Sequence, residues 1–206
     1  MNLWHSLAKQ FRRPSGFVGQ LVGLILLVNR TGIEWTIGQL NIQPADHVLE
    51  IGFGPGLGIQ QAAKLAPRGR VAGLDTSRTM LWQASRRNAA AVTAGLVELC
   101  LGEASALLYP DDTFHKVFAT NVVYFWDNPV ATLREIWRVM KSGGRLALYV
   151  IAKKDLVKFK LTQTGVYRPY TGEELVGLLH QAGFRQARFV TRAEWHRTGL
   201  CVLAEK

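Results

Sequence analysis

The sequence predicts an α/β fold in which a mainly parallel sheet carries helices on both faces. Three observations predict it. From residue 47 onward, short apolar runs alternate with longer helix-compatible stretches, the pattern of repeated strand–helix units. The first apolar run (Val48, Leu49, Ile51) enters four glycines spaced two apart, Gly52, Gly54, Gly56 and Gly58, and helical sequence follows. At the far end, two runs at 184–192 and 196–204 lie close enough to pair as a hairpin, which adds one antiparallel strand.

The N-terminal segment comes first. Leu3, Trp4, Leu7 and Phe11 have helical spacing, so a helix is expected over 3–12. Arg12-Arg13-Pro14-Ser15-Gly16 breaks it, because proline disfavours the α conformation in the residue before it and glycine frees the turn. A second helix is expected from Phe17 to Arg30 and a third from Ile33 to Leu40. The apolar run Phe17 to Val28 contains Gln20 and two glycines and falls short of the ~20 residues a bilayer span requires. It suits a lid over the core, with a place on a membrane surface as the alternative.

The core follows in order. Strand 47–51 leads to helix 57–66, strand 70–75 to helix 77–93, and strand 96–100 to an irregular stretch ending near 113. Strand 115–121 precedes a helix from Pro129 to Met140, whose start is marked by Asp127-Asn128-Pro129 (an Asx cap with proline in the first turn). Gly143-Gly144 is expected to end that helix. Strand 145–152, helix 171–182 and the hairpin strands complete the set. The chain reads as one domain: an N-terminal helical lid over 1–42 and a core over 43–206.

Composition sets the bounds. At 206 residues, with 48% hydrophobic and 19% charged residues, the chain can bury a core and is not of disordered composition. Its formal net charge is +10. Scattered lysines and arginines favour a solvated basic surface over one concentrated anion site. Cys100 and Cys201 sit in apolar strand-like segments and read as buried free thiols, no Cys/His spacing suggests a metal, and the N-terminus lacks a signal-peptide cleavage pattern. These features suit a cytoplasmic protein, with peripheral membrane contact as the further option.

The glycine turn does not fit the dinucleotide fingerprint G-x-G-x-x-G/A. Counted from Gly52 the third position is Leu57, and counted from Gly54 it is Ile59. What stands here, Glu50-x-Gly52-x-Gly54-x-Gly56, resembles motif I of the class I S-adenosylmethionine-dependent methyltransferases. Later blocks match that family in order: Val71-Ala72-Gly73-Leu74-Asp75, Gly102-Glu103-Ala104, Val117 to Asn121, Arg138 to Leu146, Tyr170 to Leu175, and Gln181 to Phe184. The resemblance covers roughly residues 40–206. It is strongest to small methyltransferases related to ubiquinone/menaquinone and phospholipid N-methylating enzymes.

The resemblance implies a Rossmann-like seven-stranded sheet with an antiparallel last strand, and S-adenosylmethionine as cofactor, leaving as S-adenosylhomocysteine. It implies that Glu50 orients the turn or the cofactor's amino end, with Gly52, Gly54 and Gly56 as floor. Asp75 would hold the ribose, for which helix capping is the competing role. Thr76 and Met80 would lie beside ribose and adenine, Glu103 and Ala104 at the adenine amino group, and Asn121 in the same cofactor set. Glu103 departs from the commoner Asp.

Asn121-Val122-Val123-Tyr124 stands where amino-directed methyltransferases carry Asn/Asp-Pro-Pro-Tyr. Both prolines are missing, which disfavours a nucleic-acid substrate. Tyr124, Trp126, Tyr167 and Tyr170 are expected to wall the substrate pocket, with Tyr124 and Tyr170 as the catalytic candidates. Of the histidines only His5 could reach a substrate from the lid. The expected function is methylation of a small or amphiphilic acceptor such as a lipid amine or a quinone-like molecule. A nucleic-acid methyltransferase and a non-catalytic cofactor binder are the alternatives.

Overall fold

The computed structural model describes residues 3–16, 18–19, 21 and 30–206. The expected second helix and the apolar run at 17–28 therefore lie almost wholly outside the described residues. Seven strands form one sheet: β1 (His47–Ile51), β2 (Arg70–Asp75), β3 (Val97–Leu101), β4 (Phe114–Thr120), β5 (Met140–Ile151), β6 (Arg185–Glu194) and β7 (Arg197–Glu205). Their spatial order is β3-β2-β1-β4-β5-β7-β6. β1 pairs in parallel with β2 and β4, and β7 runs antiparallel to both β5 and β6, so β7 alone is reversed.

Helices cover both faces: α1 (Leu3–Arg12), α2 (Arg30–Leu40), α3 (Leu57–Leu65), α4 (Arg78–Arg87), α5 (Ala89–Thr93), α6 (Pro129–Val139), α7 (Lys153–Leu156) and α8 (Gly172–Gln181). Successive strand residues point to opposite faces, so each central strand feeds two apolar layers. Leu49, Val117 and Leu146 pack with Leu133 and Ile136 of α6 and Leu175 of α8. Their neighbours Val48, Phe118 and Ala147 pack with Ile33 and Ile37 of α2 and Ile59 of α3. Double-sided burial explains why β1 is an apolar run rather than an alternating one.

Three expectations need correction. The helix expected over 77–93 is two helices, split at Asn88, whose amide donates to Ala84 O (2.9 Å) and to Gly56 O (3.0 Å). An Asn side chain that satisfies backbone carbonyls offers an alternative to the helical ladder, and here it ties the helix end to the glycine turn. Secondly, α6 ends at Val139, not at the glycines, because Met140 is already extended and pairs with Phe114. Gly143 and Gly144 instead exchange backbone hydrogen bonds with Lys206, 3.1 Å in both directions. Lastly, α2 begins at Arg30, three residues ahead of Ile33, and Arg30 pairs with Glu34 one turn on.

The stretch after β5 holds structure that the sequence reading left blank, namely α7 and a 3-10 turn at Lys160–Thr164. Thr162 secures that turn by donating to Leu156 O. The N-terminus of α8 carries a capping box: Glu174 N–H donates to Thr171 Oγ1, and Thr171 N–H donates to Glu174 Oε2. No described helix is long and apolar enough to cross a membrane.

Candidate active site

The C-terminal ends of β1, β2 and β4 open into a cavity of about 420 Å³. Ligands of open α/β sheets bind at such strand ends, where the loops diverge. Gly52 follows β1 with φ +71°, and a Cβ there would overlap Val122 Cγ1, so the turn requires glycine. Gly52 and Gly54 line the cavity, whereas Gly56 does not. At φ +81° it faces α4, where a Cβ would come within 2.7 Å of Ala84 Cβ. It is a packing position between α3 and α4, which corrects its expected place in the floor.

Glu50 lies beneath the turn at 1% exposure, and its Oε2 has no hydrogen-bond partner. Burial pushes its carboxyl well above the ordinary carboxylate range, the charge of Asp75 pushes the same way, and Ile59 N–H pulls it partly back. Gly58 leaves the room it occupies, since a Cβ there would overlap the Glu50 carboxylate. Asp75 ends β2. Its Oδ2 accepts from Gly54 N–H (2.9 Å) and its Oδ1 from Ser77 N–H (2.8 Å). Burial raises its pKa, and backbone N–H groups of Ser77, Gly54 and Thr76 oppose the rise. The cap of α4 is Ser77, which accepts from Met80 N–H at 3.2 Å, so Asp75 is not needed for capping.

Thr76, Met80, Glu103 and Ala104 all line the cavity, with Glu103 exposed at its rim. Asn121, at the end of β4, adopts φ +57° and donates its N–H to Tyr149 O (2.8 Å). Its Oδ1 accepts from Tyr124 OH (3.2 Å), while its buried Nδ2 has no partner. The structure thus brings together every expected cofactor residue except Gly56.

The expected substrate residues divide. Trp126 lines the cavity beside Phe125, but Tyr124, Tyr167 and Tyr170 do not. Tyr124 is buried, its oxygen accepting Ile151 N–H at 2.5 Å, and burial pushes its phenol far up, so it stays neutral. Tyr167 packs edge-on against Phe125 with ring centroids 4.7 Å apart. Tyr170 is buried in the core, its hydroxyl without a partner and the Arg168 guanidinium 5.6 Å from its ring centre. These aromatics seal the loop after β4 against residues 165–170, because Arg168 N–H bonds Tyr124 O (3.1 Å) and draws the two segments together. His5 faces Thr164 O at 3.3 Å and does not line the cavity.

The sequence suggests a lid over 1–42 but does not single out the strap within it that lines the mouth. Phe11, Arg12, Arg13 and Pro14 all line the cavity. Arg12 grips Asp127 through both carboxylate oxygens (2.8 and 2.9 Å), Arg13 Nε donates to Thr76 O (3.1 Å), and Ser77 Oγ donates to Pro14 O. The strap therefore joins the loop after β2 to the loop after β4. The adjacent arginines before proline are its only signal in the sequence, and there they read as a helix end.

Chemically, the floor carries two buried carboxyl groups, and the entrance mixes the rings of Phe11, Phe125 and Trp126 with the Arg12–Asp127 pair and Glu103. Glu50 and Asp75 suit a cationic ligand group, with the unpartnered Glu50 Oε2 as an open acceptor and Asn121 Nδ2 as an open donor. No His, Cys, Lys or Tyr lines the cavity among the described residues. Nor is any group of three or more His, Cys, Asp or Glu among them placed to hold a metal ion. The donor set fits an aminoacyl nucleoside sulfonium: acids for its positive charges, and a carboxylate beside a glycine turn for sugar hydroxyls.

Comparison with known proteins agrees. Residues 49–148 match a family model described as "Methyltransferase domain". An uncharacterized methyltransferase of Bacillus subtilis, YdaC, is 28% identical over 178 residues, 86% of this chain and 93% of that one. A demethylmenaquinone methyltransferase of Symbiobacterium thermophilum is 40% identical over 124 residues, 60% of this chain and 49% of its own length. The crystal structure of an S-adenosylmethionine-dependent methyltransferase from Aquifex aeolicus superposes with a TM-score of 0.73 at 21% identity, covering 97% of both chains. These matches identify residues 49–148 as a methyltransferase domain and, with the acid-floored cavity at the strand ends, support an S-adenosylmethionine-dependent methyltransferase of the class I type.

Proposed function

We propose that the cavity methylates a small amphiphilic acceptor, a quinone-like molecule or a lipid amine, that enters beside Phe125 and Trp126. The observation that carries this reading is the make-up of the cavity: acids at the floor, the rings of Phe11, Phe125 and Trp126 beside the Arg12–Asp127 pair at the mouth, and no His, Cys, Lys or Tyr among the described lining residues. The 40% identity to a demethylmenaquinone methyltransferase supports an acceptor of that class. Peripheral contact with a membrane is the expectation such an acceptor carries.

S-Adenosylmethionine supplies a methyl group already activated on a sulfonium. The residues of the chain then have to hold, align and dry the site rather than drive a demanding proton transfer. In this reading Glu50 faces the ammonium and Asp75 takes the ribose hydroxyls with its remaining lone pairs. Met80 and Ala104 flank the base, and Glu103 reaches its amino group from the rim. Asn121 Nδ2 hydrogen-bonds an oxygen of cofactor or acceptor. Residues 1–42 act as a lid, and the Arg12–Pro14 strap keeps water out. A neutral amine acceptor loses its proton after transfer, so no strong base is required.

Tyr124 speaks against the nucleic-acid alternative, since its ring is buried behind Phe125 and cannot stack on a flipped base.

The test is methyl transfer from labelled donor into whole-cell extract, fractionated into organic, aqueous small-molecule, nucleic-acid and protein pools. Asp75→Ala is the control, expected to weaken cofactor binding by roughly 10- to 100-fold through loss of a charged hydrogen-bond acceptor. Label in the organic pool that the variant abolishes is the expected outcome. Label in nucleic acid would overturn the reading, and absence of label in every pool despite tight cofactor binding would favour the non-catalytic binder.

A further inference from the structure

All six parallel strands end on the side of the sheet where the cavity opens, and the segments that leave β5 and β6 there carry bare apolar side chains. Trp195 caps the β6–β7 hairpin at 93% exposure, and Phe159 and Val157, just past α7, are 50% and 41% exposed. Leu3 on α1 is 77% exposed. Hydrogen bonds join these segments into one rim. Thr198 N–H donates to Asp155 Oδ2 (2.8 Å) and Ala152 N–H to Thr198 O (2.9 Å), which fixes the hairpin to α7. The turn at 160–164 then holds α1 through Thr164 O and His5. From α1 the chain runs directly into the strap over the cavity.

Charge accompanies the apolar groups. Lys153, Lys154, Lys158 and Lys160 fall within one short stretch whose sole acid is Asp155. Asp155 is bound to Lys158, and Lys153 pairs with Glu174. No ion pair is formed by Lys154 or Lys160 among the described residues.

We propose that this rim docks on an anionic membrane surface. Trp195, Phe159, Val157 and Leu3 would enter the headgroup region while Lys154 and Lys160 meet lipid phosphates. An indole is suited to that depth, since its ring prefers the acyl boundary and its N–H stays wet. Charge complementarity selects this occupant over a second copy of the chain, which would bring the same lysines and the same net charge of +10 against itself. The proposal rests on the acceptor reading above for its purpose, because docking would present the cavity mouth to an amphiphile held in the bilayer. Its geometry stands without that reading.

The test is co-sedimentation of the full chain, without methyl donor or acceptor, with vesicles of phosphatidylcholine alone or mixed with phosphatidylglycerol. Two double variants accompany it, Lys154→Glu with Lys160→Glu, and Phe159→Ser with Trp195→Ser. Unchanged S-adenosylhomocysteine affinity checks that each remains folded. The expected result is salt-sensitive binding to the mixed vesicles only. Charge reversal should weaken it more than tenfold, from about fivefold for each lysine near an anionic surface. The aromatic pair should weaken it at least as much and should lose the part of tryptophan quenching by lipid-borne quenchers that belongs to Trp195.

Absence of binding, equal binding to both vesicle types, or binding that neither pair of substitutions moves would overturn the proposal. So would self-association through the rim that both pairs abolish while vesicles bind nothing. Label missing from the organic pool in the methylation assay would sink the acceptor class alone and would leave vesicle binding as it was measured.

Discussion

Glu50 is the residue whose chemistry departs most from its ordinary behaviour. Its folded pKa is raised, by burial first and Asp75 second, so the stability it contributes is fully present below the unfolded carboxylate value of about 4.3 and is lost as pH rises through the raised value. Ligand-free protein near neutral pH therefore carries a penalty there. Glu50→Gln should raise its melting temperature by a few degrees in calorimetry while weakening cofactor binding roughly tenfold. An ammonium placed at Oε2 would favour the carboxylate, so cofactor binding should expel a proton. Titration calorimetry in buffers of different ionisation enthalpy reads this directly, and a heat independent of buffer would remove Glu50 from the ammonium site.

Asp155 has the opposite sign. The Lys158 ammonium and Thr198 N–H hold its carboxyl down at about 2. Its contribution is present above the unfolded value near 3.9 and disappears as pH falls towards 2, so exchange of the Thr198 amide should accelerate across that window. At this scale the family-like motifs mark Glu50, Asp75 and Asn121, and the fold gathers them around one cavity because each stands at or near the C-terminal end of a parallel strand. The three tyrosines were misplaced because an aromatic near a site looks the same in sequence whether it faces the ligand or seals the core behind it.

Elements were readable where burial on both sheet faces imposed long apolar runs. β1 and β2 fall at the expected residues, and β3, β4, α3 and α8 within one residue at either end. What escaped depended on single side chains acting across the sequence. Asn88 splits a helix through a bond to Gly56, 32 positions away. Asn88→Ala removes two bonds to buried carbonyls and should cost about 1–3 kcal/mol in chemical denaturation, leaving the Gly52–Gly54 face of the turn in place.

The strap is the other case. The Arg12–Asp127 pair is solvent-exposed, with 85% of the Asp127 side chain open, so its effect on global stability should be small, within about 1 kcal/mol. Its effect on the mouth should be larger. Arg12→Glu is expected to raise KM for cofactor several-fold with an unchanged melting temperature, and Asp127→Arg in the same chain should recover part of the loss. A double variant no better than the single one would show that the bond does not close the cavity.

At the scale of the molecule, a single reversed strand sets where things lie. β7 runs against its neighbours, so it carries the chain from the cavity side to the opposite edge, where Glu205 pairs with Arg145. There Lys206 is held from several sides. Its Nζ donates to Met140 O (2.7 Å) and Asp112 (2.8 Å), and it sits 4.1 Å from the centre of the Trp137 ring. Lys206→Ala should lower stability by about 1–3 kcal/mol in denaturant titration, because it removes the side-chain donor to Met140 O at the α6–β5 junction. The anchoring of Lys206 has a practical use. A chain fused or tethered after Lys206 would grip the molecule by its back, leaving the cavity mouth and the hairpin tip facing outward, free to meet whatever surface is offered.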